Sequence, residues 1–263
     1  MLGLFRRHRA APDALHASGM HRGMARASVP EGHRVYAIGD IHGRSDLFDR
    51  LIGLVTADIE ADRPAQAHLV LLGDYIDRGL DSRGVLERLS QPAEGPFGTI
   101  CLKGNHEESL LRFLDDVSVG PNWLRYGGLA TLVSYGIGRP DGMDEATFLD
   151  HAQEQLRLRL PSRHLAFLRR LKLQVQVGDY RFVHAGVRPG VPLDHQDPED
   201  LIWIRDDFLH SDADHGAVVV HGHTITDQPH VQHNRIGIDT GAFASGRLTC
   251  LVLEAETRRF LTT

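Results

Sequence analysis

One recurring pattern constrains this chain most: a short aliphatic run that ends in a tight cluster of Gly, Asp, His or Asn. It appears as "VYAIGDIHG" (35–43), "LVLLGDYIDRG" (69–79), "TICLKGNHE" (99–107), "RFVHAG" (181–186) and "VVVHGHT" (218–224). Unbroken apolar runs of this length, stopped by glycine, suit strands buried on both faces. Between the first three runs lie segments with helical spacing. Residues 44–61 place Leu47, Leu51, Leu54, Val55 and Ile59 on one helical face, and 81–90 and 106–116 read alike. Strand and helix alternate, so the first half predicts an α/β fold with a largely parallel sheet.

The second half reads differently. "LKLQVQVGDYRFVHAG" alternates, turns at Gly-Asp and enters another strand, which is a hairpin signal. "RIGIDTGAFASGRLTCLVLE" predicts two strands around a Gly-rich turn. Residues 122–171 are helical in pattern, and the Gly-Gly of "NWLRYGGLATLVSYGIG" is expected to break or kink a helix. Residues 115–170 are therefore expected to form a helical insertion that caps one end of the sheet. Its Trp123, Arg125 and Tyr126 read as core packing first and as a substrate rim second.

No internal repeat and no long Ser/Gly/Pro linker follows residue 32, so 33–263 reads as a single domain. Residues 1–34 hold six arginines against Asp13 and Glu31, and 1–32 reads as a flexible basic leader. This opening stretch has no apolar run long enough for a signal peptide or a membrane span. With 41% hydrophobic and 24% charged residues the chain suits a soluble globular protein, and its net charge of −6 argues against a nucleic-acid partner. Cys101 and Cys250 both lie in apolar β-like runs. Reduced thiols in a cytoplasmic protein fit them better than a disulfide.

Ligands in α/β sheets bind at the C-terminal ends of strands. Five such ends carry donors here: Asp40 and His42; Asp74; Asn105; His184; His221 and His223. Taken singly, each has an ordinary explanation as a cap, a turn residue or a hydrogen-bonded core histidine. That explanation must hold separately at every strand end, which weakens it. Carboxylate, imidazole and amide oxygen together suit Mn, Fe or Zn with positions left open for water. Seven candidates exceed one four-coordinate ion but suit two ions sharing a carboxylate, a device used in phosphoester hydrolysis.

"GDIHG", "GDYIDRG", "GNHE", "HAG" and "HGHT", in this order, resemble the calcineurin-like metallophosphoesterases. More narrowly they resemble the Ser/Thr phosphoprotein phosphatase family in its bacterial and bacteriophage lambda branch. The resemblance spans about residues 34–253. It implies a central β-sandwich of mixed sheets flanked by helices, with two divalent metal ions: Mn2+ first, with Fe, Zn, Ni or Co as alternatives. It further implies that Asp40 and His42 bind the first metal, that Asp74 bridges both, and that Asn105, His184 and His223 bind the second. His221 is left a secondary or structural role. Where the wider superfamily often reads Gly-His-x-His, this chain has Ile225, so the first metal is expected to have fewer protein ligands.

The activity so implied is protein-serine/threonine phosphatase: attack on a phosphomonoester by a hydroxide bridging the metals. His106 is the expected general acid, Asp77 its orienting carboxylate, and Arg78 and Arg205 the phosphate-binding arginines. Glu107 is expected to hydrogen-bond behind the ligands rather than ligate. The partner would be a phosphorylated protein or peptide at Ser or Thr, with Tyr or His also in reach. A dinucleoside polyphosphate hydrolase of the diadenosine tetraphosphate type is the alternative. That branch resembles "GDxxARG" and "GNHD", whereas this chain has Asp77 and Glu107. A non-catalytic binding or scaffold member of the fold is the remote alternative.

Overall fold

Residues 27–92 and 95–263 are described by the computed structural model. The basic leader expected over 1–32 lies outside them up to residue 26. Its last residues are packed: Ala27 and Val29 are buried, and Val29 N–H donates to the Ala255 carbonyl at 3.0 Å. Packing against the folded unit therefore starts before the expected boundary at residue 32.

The strands are β1 (His33–Ile38), β2 (Gln66–Leu71), β3 (Gly98–Cys101), β4 (Gln174–Val177), β5 (Tyr180–Val183), β6 (Val218–His221), β7 (His230–Val231), β8 (Arg235–Gly237), β9 (Thr249–Glu254) and β10 (Thr257–Thr262). One sheet runs β10-β9-β1-β2-β3, parallel from β1 to β3 and antiparallel at β9 and β10. The other runs β4-β5-β6-β8-β7, with β5, β6 and β8 parallel and antiparallel edges. The α/β architecture of two mixed sheets flanked by helices agrees with the expectation. β7 and β10 were not expected.

Side-chain alternation explains the layering, because successive strand residues face opposite sides. Tyr36, Ile38, Leu69, Leu71, Cys250 and Val252 join a core formed with the helices over the first sheet. Their neighbours Val35, Ala37, Val70, Leu72, Leu251 and Leu253 meet Tyr180, Phe182, Val218, Val220 and Ile236 from the second sheet. Val183 and Val219 turn outward into a third cluster with Leu201, Ile204 and Phe208. Each fully buried Val, Leu, Ile or Phe among them contributes about 1.5–3 kcal/mol relative to exposure.

The helices are α1 (Ser45–Ala61), α2 (Ser82–Leu89), α3 (Asn105–Asp115), α4 (Gly120–Trp123), α5 (Leu129–Ser134), α6 (Glu145–Arg159), α7 (Ser162–Arg169), α8 (Pro198–Trp203), α9 (Asp206–Leu209) and α10 (Ala242–Ser245). The first three fall within a residue of the helical patterns read from the sequence. Between α4 and α5 the chain makes a π-helical turn over Leu124–Gly128, where Gly127 takes φ +112°. That is the break expected of the Gly-Gly pair. Register then sets the site: Ile38 pairs with Leu71 across β1 and β2, so the loops that follow both strands leave the sheet side by side.

Candidate metal centre

The loops after β1, β2, β3, β5 and β6 converge at one edge of the sandwich. Two of them are laced together by backbone: Ile41 and His42 N–H donate to the Asp74 carbonyl, and Gly43 N–H to that of Tyr75. Glu107 fixes the second loop from α3, accepting from the backbone N–H groups of Asp74, Tyr75 and Ile76, and from Gly104. It does not face the site as a donor group. Close approach demands glycine at 104, where a Cβ would sit 2.1 Å from Asp74 Oδ1.

Strain concentrates here. Of the described non-glycine residues with positive φ, His42, Asp74, Asp77, Arg78 and His223 belong to the site, and Ala255 alone lies elsewhere. Left-handed backbone costs about 1–3 kcal/mol in such residues and persists only where surroundings over-determine it. Asp77 shows how: its N–H is held by Ser82 Oγ at 3.0 Å and Thr131 Oγ1 at 2.9 Å.

Asp74 lies at the centre. Its carboxylate is 3.5 Å from His42 Nε2, 3.4 Å from His184 Nε2 and 3.8 Å from His106 Nε2. Donor atoms of His42, Asp74 and His106 lie within 4.8 Å of one another, as do those of Asp74, His184 and His223. Two adjoining clusters thus share the Asp74 carboxylate. Asp40 is buried beside them, accepting the His223 N–H at 3.1 Å. Asn105 Oδ1 is 3.0 Å from His184 Nε2, and His223 Nδ1 is 3.2 Å from the same nitrogen.

This donor set fits divalent cations. His42 Nδ1 faces the Ile76 carbonyl at 2.8 Å and His184 Nδ1 faces that of Leu72 at 3.0 Å. Those carbonyls take the ring protons and leave the Nε2 lone pairs pointing inward, the arrangement that orients imidazole toward a metal. The His184 lone pair meets the Asn105 oxygen and His223, and a cation among them would satisfy all three. His223 Nε2 and Asp239 Oδ2 are buried with no hydrogen-bond partner among the described residues.

The electrostatics point the same way. Burial pushes His42 down to about 3 and His223 to about 2, and lowers His184, so these rings are neutral and able to ligate. Asp40 is driven up by burial and by the neighbouring Asp239 and Asp74 charges. Burial likewise pushes Asp239 up to about 6. Buried carboxyls this close cannot all ionise unless positive charge is supplied.

His106 and Asp77 form a separate device at the rim. His106 Nδ1 is 2.6 Å from Asp77 Oδ2, and both residues are buried. Asp77 is fixed further by Trp123 Nε1–H, which donates to Oδ2 at 2.8 Å, and by the Thr131 hydroxyl, which donates to Oδ1 at 2.6 Å. Burial opposes charge on His106, but the Asp74 charge and the Asp77 hydrogen bond outweigh it and raise its pKa. Arg78 extends its guanidinium toward His42 Nε2 at 3.0 Å and His106 Nε2 at 3.2 Å.

Arg205 stands across the site at the N-terminus of α9, where its charge acts on His184 and His223 and its Nη1 is 3.4 Å from Thr224 Oγ1. Asp207, its nearby acidic neighbour in sequence, pairs instead with Arg188 at 3.0 Å. His221 is buried against Phe208, with ring centroids 5.1 Å apart, and lies outside both donor clusters. Trp123, read as core packing, does pack on Phe113, but its indole N–H serves Asp77 as well. Tyr126 is half exposed rather than packed in the core. Sequence reasoning missed Thr131 and Asp239. Asp239 had a signal, since "RIGID" before a Thr-Gly repeats the aliphatic-run-then-acid pattern; Thr131 had none.

Comparison with known proteins agrees with this geometry. A family model described as calcineurin-like phosphoesterase matches residues 33–239. The bis(5'-nucleosyl)-tetraphosphatase PrpE of Anoxybacillus flavithermus is 26% identical, over 81% of this chain and 88% of the relative. Serine/threonine-protein phosphatase 2 of Salmonella typhimurium is 28% identical, over 82% and 90%. Among solved structures, a putative diadenosine tetraphosphatase superposes with a TM-score of 0.59 at 21% identity, covering 87% of this chain and 93% of that one; this is a likeness of fold. The family match covers β1 to β8, the loops that carry the site and every donor of the two clusters, so the chain belongs to the calcineurin-like phosphoesterases, hydrolases built around a binuclear metal centre.

Proposed function

We propose that this protein is a metal-dependent phosphomonoester hydrolase whose substrates are phosphoproteins or phosphopeptides, at Ser or Thr first and with Tyr or His in reach. The single observation that carries the reading is the Asp77–His106 pair at 2.6 Å. A serine or threonine alkoxide is a poor leaving group and needs a proton as the P–O bond breaks. A nucleotide leaving from a polyphosphate is already a stable anion and has little use for one. A buried imidazole held by a carboxylate that is itself fixed by two other donors is a costly feature to build, and it serves the harder leaving group.

In this reading Asp40, His42 and Asp74 hold the first metal, and Asp74, Asn105, His184 and His223 the second. Bound ions supply Lewis acidity toward the phosphoryl oxygens and a water acidified to near neutrality, with Mn2+ the first choice and Fe, Zn, Ni or Co alternatives. Arg78 and Arg205 grip phosphoryl oxygens from opposite sides. His106 gives its Nε2 proton to the leaving oxygen, and Asp77 stabilises the imidazolium and fixes its direction. Asp40 and Asp239 are buried neighbours, and a divalent ion held at the first position would let both carboxyls ionise.

A second reading, hydrolysis of dinucleoside polyphosphates, is favoured by the tetraphosphatase names among the relatives. Kinetics with Mn2+ on a phosphoserine or phosphothreonine peptide, set beside diadenosine tetraphosphate, separate the two. The proposal expects the higher kcat/KM on the peptide; a preference for the dinucleotide by a hundredfold or so would replace it with the second reading. A non-catalytic role would show as no chelator-sensitive release from p-nitrophenyl phosphate.

A further inference from the structure

Arg78 is aimed by an unusual set of neighbours. Among the described residues no carboxylate lies within ion-pairing distance of its guanidinium. Its head instead lies over the ring of Phe243, with Cζ 4.9 Å from the centroid. The same ring meets His42 edge-on, at 5.5 Å and 85°. On the opposite side the stem is closed in by the turn between α4 and α5. Arg78 N–H donates to the Gly127 carbonyl at 3.1 Å, and Nε reaches the Tyr126 carbonyl at 3.5 Å. A Cβ on Gly127 would lie 2.7 Å from Arg78 Cγ, so the turn is pressed against the side chain.

Phe243 is itself held. It belongs to α10, bracketed by Gly241 and Gly246, both left-handed at φ +66° and +70°. Asp239 Oδ1 accepts the Gly241 N–H at 2.9 Å, and Arg44 Nη1 donates to the Ala242 carbonyl at 3.0 Å. The ring is half-buried, neither free in solvent nor part of the three hydrophobic cores.

We propose that Phe243 is a positioning residue for substrate: its ring face fixes the Arg78 guanidinium beside the donor clusters without cancelling the charge that a phosphoryl group must feel, and the N–H groups that now face His42, His106 and the Tyr126 carbonyl are engaged only by neutral or imidazole acceptors. The physical reason is a choice between two ways of holding an arginine. A carboxylate partner would fix the head but would consume its donors and cancel the charge that phosphate must feel. An aromatic face attracts the cation through its quadrupole and occupies none of the N–H groups. Packing on His42 ties the ring to the first donor cluster, so the arginine is set relative to the residues that would hold the metal. The inference rests on the proposed role of Arg78 as a phosphate ligand, not on which phosphoester is the natural substrate.

The test uses the full chain loaded with Mn2+ and two probes: inorganic phosphate binding by calorimetry, and KM and kcat for p-nitrophenyl phosphate. Phe243→Leu keeps an apolar side chain but removes the quadrupole. It should weaken phosphate binding and raise KM by about three- to tenfold, with a smaller change in kcat and unchanged metal content by elemental analysis. Phe243→Trp should restore phosphate affinity to near the wild-type level. In an Arg78→Ala background the leucine change should cost nothing further. Wild-type phosphate affinity in Phe243→Leu, or an equal loss with and without Arg78, overturns the proposal. Phe243→Met carries the same test if the leucine protein fails to bind metal. Preference of the wild type for diadenosine tetraphosphate would remove the phosphoprotein reading and leave this phosphate measurement intact.

Discussion

His106 Nδ1 and Asp77 Oδ2 meet at 2.6 Å in a buried pair, while the other ring nitrogen of His106 looks toward Asp74 and Arg78. One imidazole thus connects a carboxylate that holds it to the place where a leaving oxygen would form. Replacing His106 by Asn should lower kcat for a phosphoserine peptide by about 10²- to 10⁴-fold. For p-nitrophenyl phosphate the loss should be much smaller, because p-nitrophenolate departs without a proton. Metal content should stay as in the wild type, since in the proposed reading His106 binds neither ion. Equal losses on both esters would remove His106 as the acid.

The support behind Asp77 makes its own prediction. Thr131→Val deletes the hydroxyl that donates to Asp77 Oδ1 and accepts from its N–H, with little change in volume. Asp77→Asn keeps the shape and removes the charge. Either change should lower peptide kcat by about 10- to 100-fold, the range found when an outer partner of a site residue is lost. Asp77→Asn should add almost nothing in a His106→Asn background, because the two act through one ring. Steady-state kinetics on the four-protein cycle check this directly.

How much of this was legible in the sequence follows from where each signal lies. Asp40, Asp74, Asn105, His184 and His223 stand within a few residues of a strand end, and buried strands announce themselves by apolar runs. β10 is half-exposed with the sequence "TRRFLT", and β7 has only two residues, so neither carries such a run. Trp123 and Thr131 reach Asp77 across 46 and 54 residues, from a helical insertion whose local pattern records only its own packing. Long-range partners of this kind leave no periodic trace. The same holds for Phe243, whose meaning depends on Arg78 lying under its ring.

The central place of Asp74 gives a prediction about metals. Its two oxygens face His42 and His106 on one side and His184 on the other. Asp74→Asn removes the charge common to both clusters, so both metals should be lost or strongly weakened, as read by elemental analysis after gel filtration. His223→Ala, which touches the second cluster alone, should leave about one ion bound. Full occupancy in Asp74→Asn would remove its bridging role.

Far from the centre, Asp58 on α1 ties the helix to the first sheet and gives a stability prediction with a pH signature. Its Oδ2 accepts from the Tyr36 hydroxyl at 2.6 Å and from Arg259 Nη2 at 2.6 Å, with Arg34 Nη1 at 3.4 Å. Burial works against its ionisation, yet Arg259 and Tyr36 outweigh it and lower its pKa. A carboxylate with a depressed folded pKa stabilises above its ordinary value of ~3.9, and that stability is lost as pH falls through the lower folded value. Asp58→Asn should therefore cost about 1.5–3 kcal/mol at pH 7, as expected for hydrogen bonds to a charged group. In a chain of this size that lowers Tm by several degrees. The gap between the two proteins should narrow as pH drops through ~4 and close below the folded pKa, where the wild-type side chain is itself neutral. Thermal melts at pH 7, 5 and 3 measure it, and a constant gap across the series would show that the charge of Asp58 contributes nothing.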